Sequence, residues 1–284
     1  SVDLGLMIAS DTVDSSQKWL SLKALADGVT FTGLDEITIS GSDLFVEVNK
    51  SSKNGKILDF KKQSYEIATG TDTTISLDAD GTLGESTKAS GHLNLSIYDF
   101  INVSGDIAFS KNTQTLSVDK AGTKTDIVAD VLTLGVNDFD IFAGLNGDSS
   151  DKIGLEIDGA TLGFLLAKEK TGEKREWSTI SAKADNASFV GINNITMSAS
   201  DISLKLNQSA NDNSLLDFTT EVLVDTGTGI AVVLDMKSSE GELLEVSADT
   251  QLNLFNFFAF DGKVSLEKKI ENVNVYGETN PVSA

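Results

Sequence analysis

Hydrolysis through an activated serine needs a general base beside the nucleophile, and this sequence offers a single imidazole, His92 in SGHLNL. His92 falls at an expected strand entrance. An internal repeat, described below, puts Thr250 or Gln251 at the matching position, so His92 reads as a structural or exposed histidine and not as a base. Cysteine is absent, which removes thiolate nucleophiles, disulfides and thiolate metal sites together, and one histidine cannot make a zinc site. The glycine-rich pieces at Gly70 and Gly227 lack the Gly-Lys spacing that cradles phosphate. In a chain with 43 acidic residues, paired carboxylates are too common to indicate glycosidase chemistry. The sequence therefore reads as non-enzymatic, with no catalytic residue.

Hard oxygen ligands do gather in several loops, and calcium is the one cofactor with positive support. The candidate ligands are Asp78 and Asp80 in DADG with Glu85 after them, Asp148 and Asp151 in NGDSSD, and the DTVD loop from Asp11. None reproduces the spaced ligand series of an EF-hand. The Asp78 loop aligns with DMKSSEGE from Asp235, where the second acid is lost, so solvated acidic loops are the default expectation. Trp19 and Trp177 each begin a strand just after a polar loop. Such rings either stack on a sugar or anchor a strand end, and anchoring is the expectation. LFNFFAF from Leu254 is apolar on both parities, which reads as a strand buried on both sides or a bulge, with an aromatic carbohydrate platform as the sharper alternative.

The elements that must position these residues are strands. In DLFVEVN, Leu44, Val46 and Val48 oppose Phe45 and Glu47; in DISLKLN, Ile202, Leu204 and Leu206 oppose Ser203 and Lys205. This period of two specifies strands with one buried face. SSKNGK and SANDNS then interrupt the two stretches as hairpin turns would, and Asp43 and Asp201 are expected at turns. No segment sustains a helical stripe. The expected fold is all-β: an elongated antiparallel meander, β-sandwich or solenoid-like stack.

The two stretches are copies. Aligning Trp19 with Trp177, an offset of 158 residues (177 minus 19), keeps register without a gap through LDF at Leu58 and LDF at Leu216. LGLMIA from Leu4 matches LGFLLA from Leu162, and LNLSIYDFINVSGDIAFSK matches LNLFNFFAFDGKVSLEK after small length changes. The expected organisation is a first β unit over 1–125, N-terminally incomplete, and a second over 126–284 with a linker-like tail, together an excerpt of a tandem array.

The net charge of −21, with Arg175 the only arginine, repels phosphate backbones and provides no polybasic patch, so nucleic acid is excluded as a partner. No apolar run is long enough to span a bilayer as a helix.

WLSLKALADGVTFTGLDEITISGSDLFVEVN, its second copy and LNLFNFFAFDGKVSLEK, in an acidic cysteine-free chain, resemble the tandem modules of giant bacterial secreted or surface adhesin-like proteins. That resemblance implies an extracellular or cell-surface location and a structural or adhesive role, with neighbouring repeat units, cell-surface glycans or matrix as partners. Two alternatives stand beside it. Long meanders with one apolar face can curl around acyl chains, giving a lipid-binding or lipid-transfer β-groove. A carbohydrate-binding module would use Trp19 and Trp177.

Overall fold

The structure is a computed structural model that describes residues 1–31, 37–53, 55–98, 100–147, 149–269, 272–277 and 280–283. One large antiparallel sheet dominates it. Its strands are β1 (Val2–Ser10), β2 (Lys18–Phe31), β3 (Ile37–Ser51), β6 (Ser86–Ile97), β7 (Ile101–Lys120), β8 (Thr123–Leu145), β9 (Ile153–Glu169), β10 (Glu176–Val190), β11 (Ile195–Gln208), β15 (Leu243–Leu254) and β16 (Phe258–Lys268). They pair in that order, each beside its predecessor, so the sheet is a meander of eleven strands with β1 and β16 at its edges. The all-β elongated fold read from the alternation is what the chain adopts. The sheet runs unbroken through residues 125 and 126, which lie inside β8.

Two excursions leave the sheet at matching places. Between β3 and β6 the chain forms a hairpin of β4 (Tyr65–Ala68) and β5 (Thr74–Leu77). Between β11 and β15 it forms β12 (Leu215–Leu216), which pairs with β7, and a hairpin of β13 (Val222–Asp225) and β14 (Ala231–Leu234). SSKNGK and SANDNS are therefore exits from the sheet and not hairpin turns, because ILDF and LLDF do not pair back on the preceding strand. A buried asparagine fixes each exit: Asn49 Nδ2 donates to the Leu58 carbonyl (2.8 Å), and Asn207 Nδ2 donates to the Leu216 carbonyl (3.1 Å). The amide thus ties each departing segment back to the strand it has just left and satisfies one of its backbone acceptors.

The excursions fold onto one face of the sheet. Glycines make the close approach possible: a Cβ on Gly135 would stand 1.9 Å from the Asp225 carbonyl oxygen, and one on Gly163 would stand 2.8 Å from Val232 Cγ1. In the first copy Gly5 plays the part of Gly163, its added Cβ lying 2.4 Å from Ile75 Cγ2. The core under the second excursion joins Val118, Ala129, Val131, Leu165, Trp177, Leu216, Phe218, Val224, Leu234 and Met236. That same covered face also buries many polar groups, among them Ser21, Asn49, Glu169, Thr179, Asn207 and Asp217.

Asp43 and Asp201 do not sit in turns. Both are β-bulge residues within β3 and β11, with φ of 52° and 49°, at the register shifts between Ser42 and Phe45 and between Ser200 and Ser203. Asp138 (φ 50°) and Gly159 (φ 61°) make the corresponding bulges in β8 and β9. A bulge inserts one extra residue and so reverses the side-chain parity of the rest of its strand. Aspartate serves because its short side chain tolerates the left-handed region better than a β-branched one.

LFNFFAF is likewise neither a doubly buried strand nor a bulge. Leu254 ends β15, and Phe255 and Asn256 (φ 54° and 56°) make the hairpin turn into β16. The rings project outward, Phe257 being 96% exposed.

Candidate functional site

Directly opposed residues in a sheet share a face, so the pairing register shows what each face carries. One row runs Leu6, Leu22, Val48 and, two residues along the strand, Val46, then Ala89, Phe109, Leu134, Phe164, Ile180, Leu206, Leu244. A row on the other side of the bulge line runs Ile39, Leu95, Val103, Ile141, Ile157, Ala187, Ala199. Leu252 and Phe260 carry the same half of that face onto β15 and β16. All of these lie on the face away from the excursions. The parity reversals at Asp43, Asp138, Gly159 and Asp201 keep them there: in β9 the odd residues Ile153, Leu155 and Ile157 precede the even residues Leu162, Phe164 and Leu166 across the bulge.

The sheet is thus inverted relative to a usual sandwich half. Its mixed polar face is covered, and its apolar face is bare. Leu4, Leu6, Ile8, Leu155, Met197, Phe260, Val264 and Leu266 are each exposed, at 54%, 46%, 70%, 45%, 53%, 44%, 50% and 62%. Eleven strands at about 4.8 Å spacing make this face about 50 Å wide. A contiguous apolar surface of that extent is larger than the scattered apolar patches usual on a monomer.

The border of the face differs between its two ends. At one end Lys50, Lys168, Lys170 and Lys268 pair with Glu85, Glu176, Asp130 and Glu242. At the other end, hairpin turns at equivalent places in the repeat expose aromatic rings: Tyr98 and Phe100 in one, Phe255 and Phe257 in the other. One rim is therefore ionic and the opposite rim carries rings.

The opposite, polar face holds a constellation that spacing along the chain does not show. Cross-strand pairing of β6 with β7 puts His92 opposite Asp106, with Ser104 two residues away on the same side. His92 Nδ1 lies 2.9 Å from Asp106 Oδ1, and Ser104 Oγ lies 3.2 Å from His92 Nε2. This is the order of nucleophile, base and orienting carboxylate. Two features hold it back from acyl transfer. Ser104 Oγ donates its proton to Asn94 Oδ1 at 2.8 Å, and Asp140, Glu156 and Asp158 line the adjoining open hollow of about 340 Å³ with Ser104. The carboxyl of Asp158 is pushed above the usual carboxylate range by burial and by Glu156 and Asp140. Lys152, paired with Glu156, offsets only one of these three carboxylates, and the remaining negative field opposes an oxyanion.

Asp78, Asp80, Glu85 and Asp11 are engaged elsewhere. Asp78 holds Lys23 at 2.7 and 2.8 Å. Asp80 caps the 3₁₀ turn Gly81–Leu83 and binds Lys61, which with Thr82 brings its carboxyl down to about 2. Glu85 accepts from the Ser51 amide at 3.3 Å, Asp151 is exposed, and Asp148 lies outside the described residues. Asp11 closes its own turn, accepting from the amides of Val13 and Asp14. Among the described residues no group of three or more such ligands converges to hold a metal ion.

The tryptophans act as anchors. Trp177 is 1% exposed, donates Nε1–H to the Ser214 carbonyl at 3.0 Å and has the Arg175 guanidinium 5.2 Å from its ring centre, so it offers no face to a sugar. Trp19 is half-buried and donates to the Lys56 carbonyl at 2.9 Å.

Compared with protein-family models, with curated proteins and with solved structures, the chain matches none of them. No helix among the described residues is long and apolar enough to cross a membrane.

Proposed function

We propose that the chain is a non-catalytic β-repeat module whose bare apolar face binds long aliphatic chains, the acyl chains of lipids. The observation that carries this reading is the unbroken apolar face from β1 to β16, kept on one side of the sheet by a line of bulges. An extended, continuous apolar track suits a chain-like ligand better than a compact one, and the exposed rings at one rim suit the boundary between acyl chain and headgroup. Titration with a fluorescent long-chain fatty acid tests it. Saturable binding is expected, with Phe164→Glu and Leu134→Glu each weakening it at least about tenfold through the cost of desolvating a charge. Val233→Glu, on the exposed side of the covering hairpin, leaves binding unchanged. Absence of saturable binding, or equal binding by all three variants, overturns the proposal.

The repeat itself supports a second role, a structural or adhesive module of a larger extracellular bacterial protein. In that role the sheet provides length, and the charged loops provide contact with solvent and partners.

A further inference from the structure

We infer that the two edges of the sheet are docking sites for a strand of the β8 type from another copy of the repeat, so that successive copies share one continuous sheet. The inference is independent of what the apolar face binds, and three observations carry it.

The first is equivalence of edges. In the repeat, β1 corresponds to β9 and β16 corresponds to β7 (INVSGDIAFSK against FAFDGKVSLEK). Inside the chain, β8 fills the space between β7 and β9, pairing antiparallel with both. The free edge of β16 is the counterpart of the β7 edge that β8 occupies. The free edge of β1 is the counterpart of the β9 edge that β8 occupies.

The second is a glycine without an internal reason. Gly105 in β7 must lack a Cβ, because that atom would stand 2.2 Å from the Phe139 ring, 2.7 Å from Phe139 Cα and 2.9 Å from the Asp138 carbonyl oxygen, all on β8. Gly262 occupies the same place in β16, yet a Cβ there would meet only its own Phe260 ring at 3.4 Å. The repeat keeps space in β16 for a bulged strand like β8.

The third is the overhang of the first hairpin. β13 sits over β8 and β9, whereas its counterpart β4 sits over β1, at the edge of the sheet. The consequences show in matching side chains: Val224, Leu216 and Phe218 are 0%, 1% and 3% exposed, while their counterparts Ile67, Leu58 and Phe60 are only half-buried. The first excursion is shaped to cover strands beyond β1. With six strands per copy, each repeat would lengthen the sheet by about 29 Å.

The probe is a synthetic peptide of residues 123–145, labelled at its N-terminus and added to the intact chain. By equivalence with β7, Ala143 of the peptide falls opposite Phe258 and Leu132 opposite Lys268. Saturable binding is expected, with new amide hydrogen-exchange protection confined to 258–268 and 2–10. Gly262→Val, whose Cβ makes only ordinary van der Waals contact with Phe260 in the chain, should leave the circular dichroism unchanged and weaken binding to the β16 edge at least about tenfold. Binding no better than that of a scrambled peptide, protection elsewhere in the sheet, or undiminished β16 protection in Gly262→Val would overturn the inference; the exchange result on the unaltered chain decides the matter if the variant fails to fold.

Discussion

Asn207→Ala should detach the second excursion far more than Asn49→Ala detaches the first. Asn207 is fully buried; its Nδ2 donates to the Leu216 carbonyl at 3.1 Å and its Oδ1 accepts from Thr179 Oγ1 at 3.1 Å. Truncation leaves a carbonyl and a hydroxyl unpaired beside Leu216, which is 1% exposed. Each lost bond with its stranded partner costs about 1–2 kcal/mol, for a total of about 2–4 kcal/mol. Asn49 makes one such bond, to Leu58 at 2.8 Å, and its Oδ1 has no hydrogen-bond partner. Leu58 is half-buried, so water can take over its carbonyl, and the expected cost falls to about 1 kcal/mol. Urea unfolding of both variants measures the global effect, and hydrogen exchange at 215–218 and 58–60 separates local detachment from global loss. Equal costs, or a larger cost at Asn49, would refute the view that these amides act by satisfying the exit backbone.

Asp217 links stability to acid. Burial opposes its ionisation, but Lys124 (2.6 Å), Thr219 and the Ser238 amide outweigh burial and hold its carboxyl well below the usual carboxylate range. A depressed folded-state pKa gives stability that is full above the unfolded value near 4 and lost as pH falls through the folded value. Asp217→Asn should therefore show a shallower fall in thermal midpoint between about pH 4 and pH 2 than the parent; an unchanged slope counts against this linkage. At Asp201 (φ 49°), replacement by Val should cost more than about 1 kcal/mol relative to replacement by Gly, read from urea midpoints, because a β-branched side chain clashes in the left-handed region.

Alternation in DLFVEVN and DISLKLN was enough to specify strands, because side-chain parity is a local property. What lay beyond reach was whatever depends on register. The excursions read as hairpin turns because ILDF and LLDF have strand-like composition; that they are tied to Asn49 and Asn207 and do not pair back on the preceding strand appears only in the tertiary contacts. The bulges read as turns in the sequence because Asp in the left-handed region serves both. The proximity of His92, Asp106 and Ser104 depends on which β6 residue faces which β7 residue, and no spacing along the chain encodes that. Trp177 was legible as an anchor, since a large ring at a strand start beside a polar loop usually packs inward. The apolar face was half legible: each strand displayed its own stripe, but the parity reversals that unite the stripes on one side were not visible in any single segment.

The meander also determines how the molecule carries load. Its ends lie at opposite edges of the sheet, so tension between them acts across the strands, along the inter-strand hydrogen bonds. Loaded in that direction, a sheet opens like a zipper, one pair at a time, and does not resist as a whole the way strands do when sheared along their length. Under strain such a sheet would release chain in strand-sized steps, first from the edges, and shorten again as the steps re-form. It would behave as an extensible strap and not as a stiff rod.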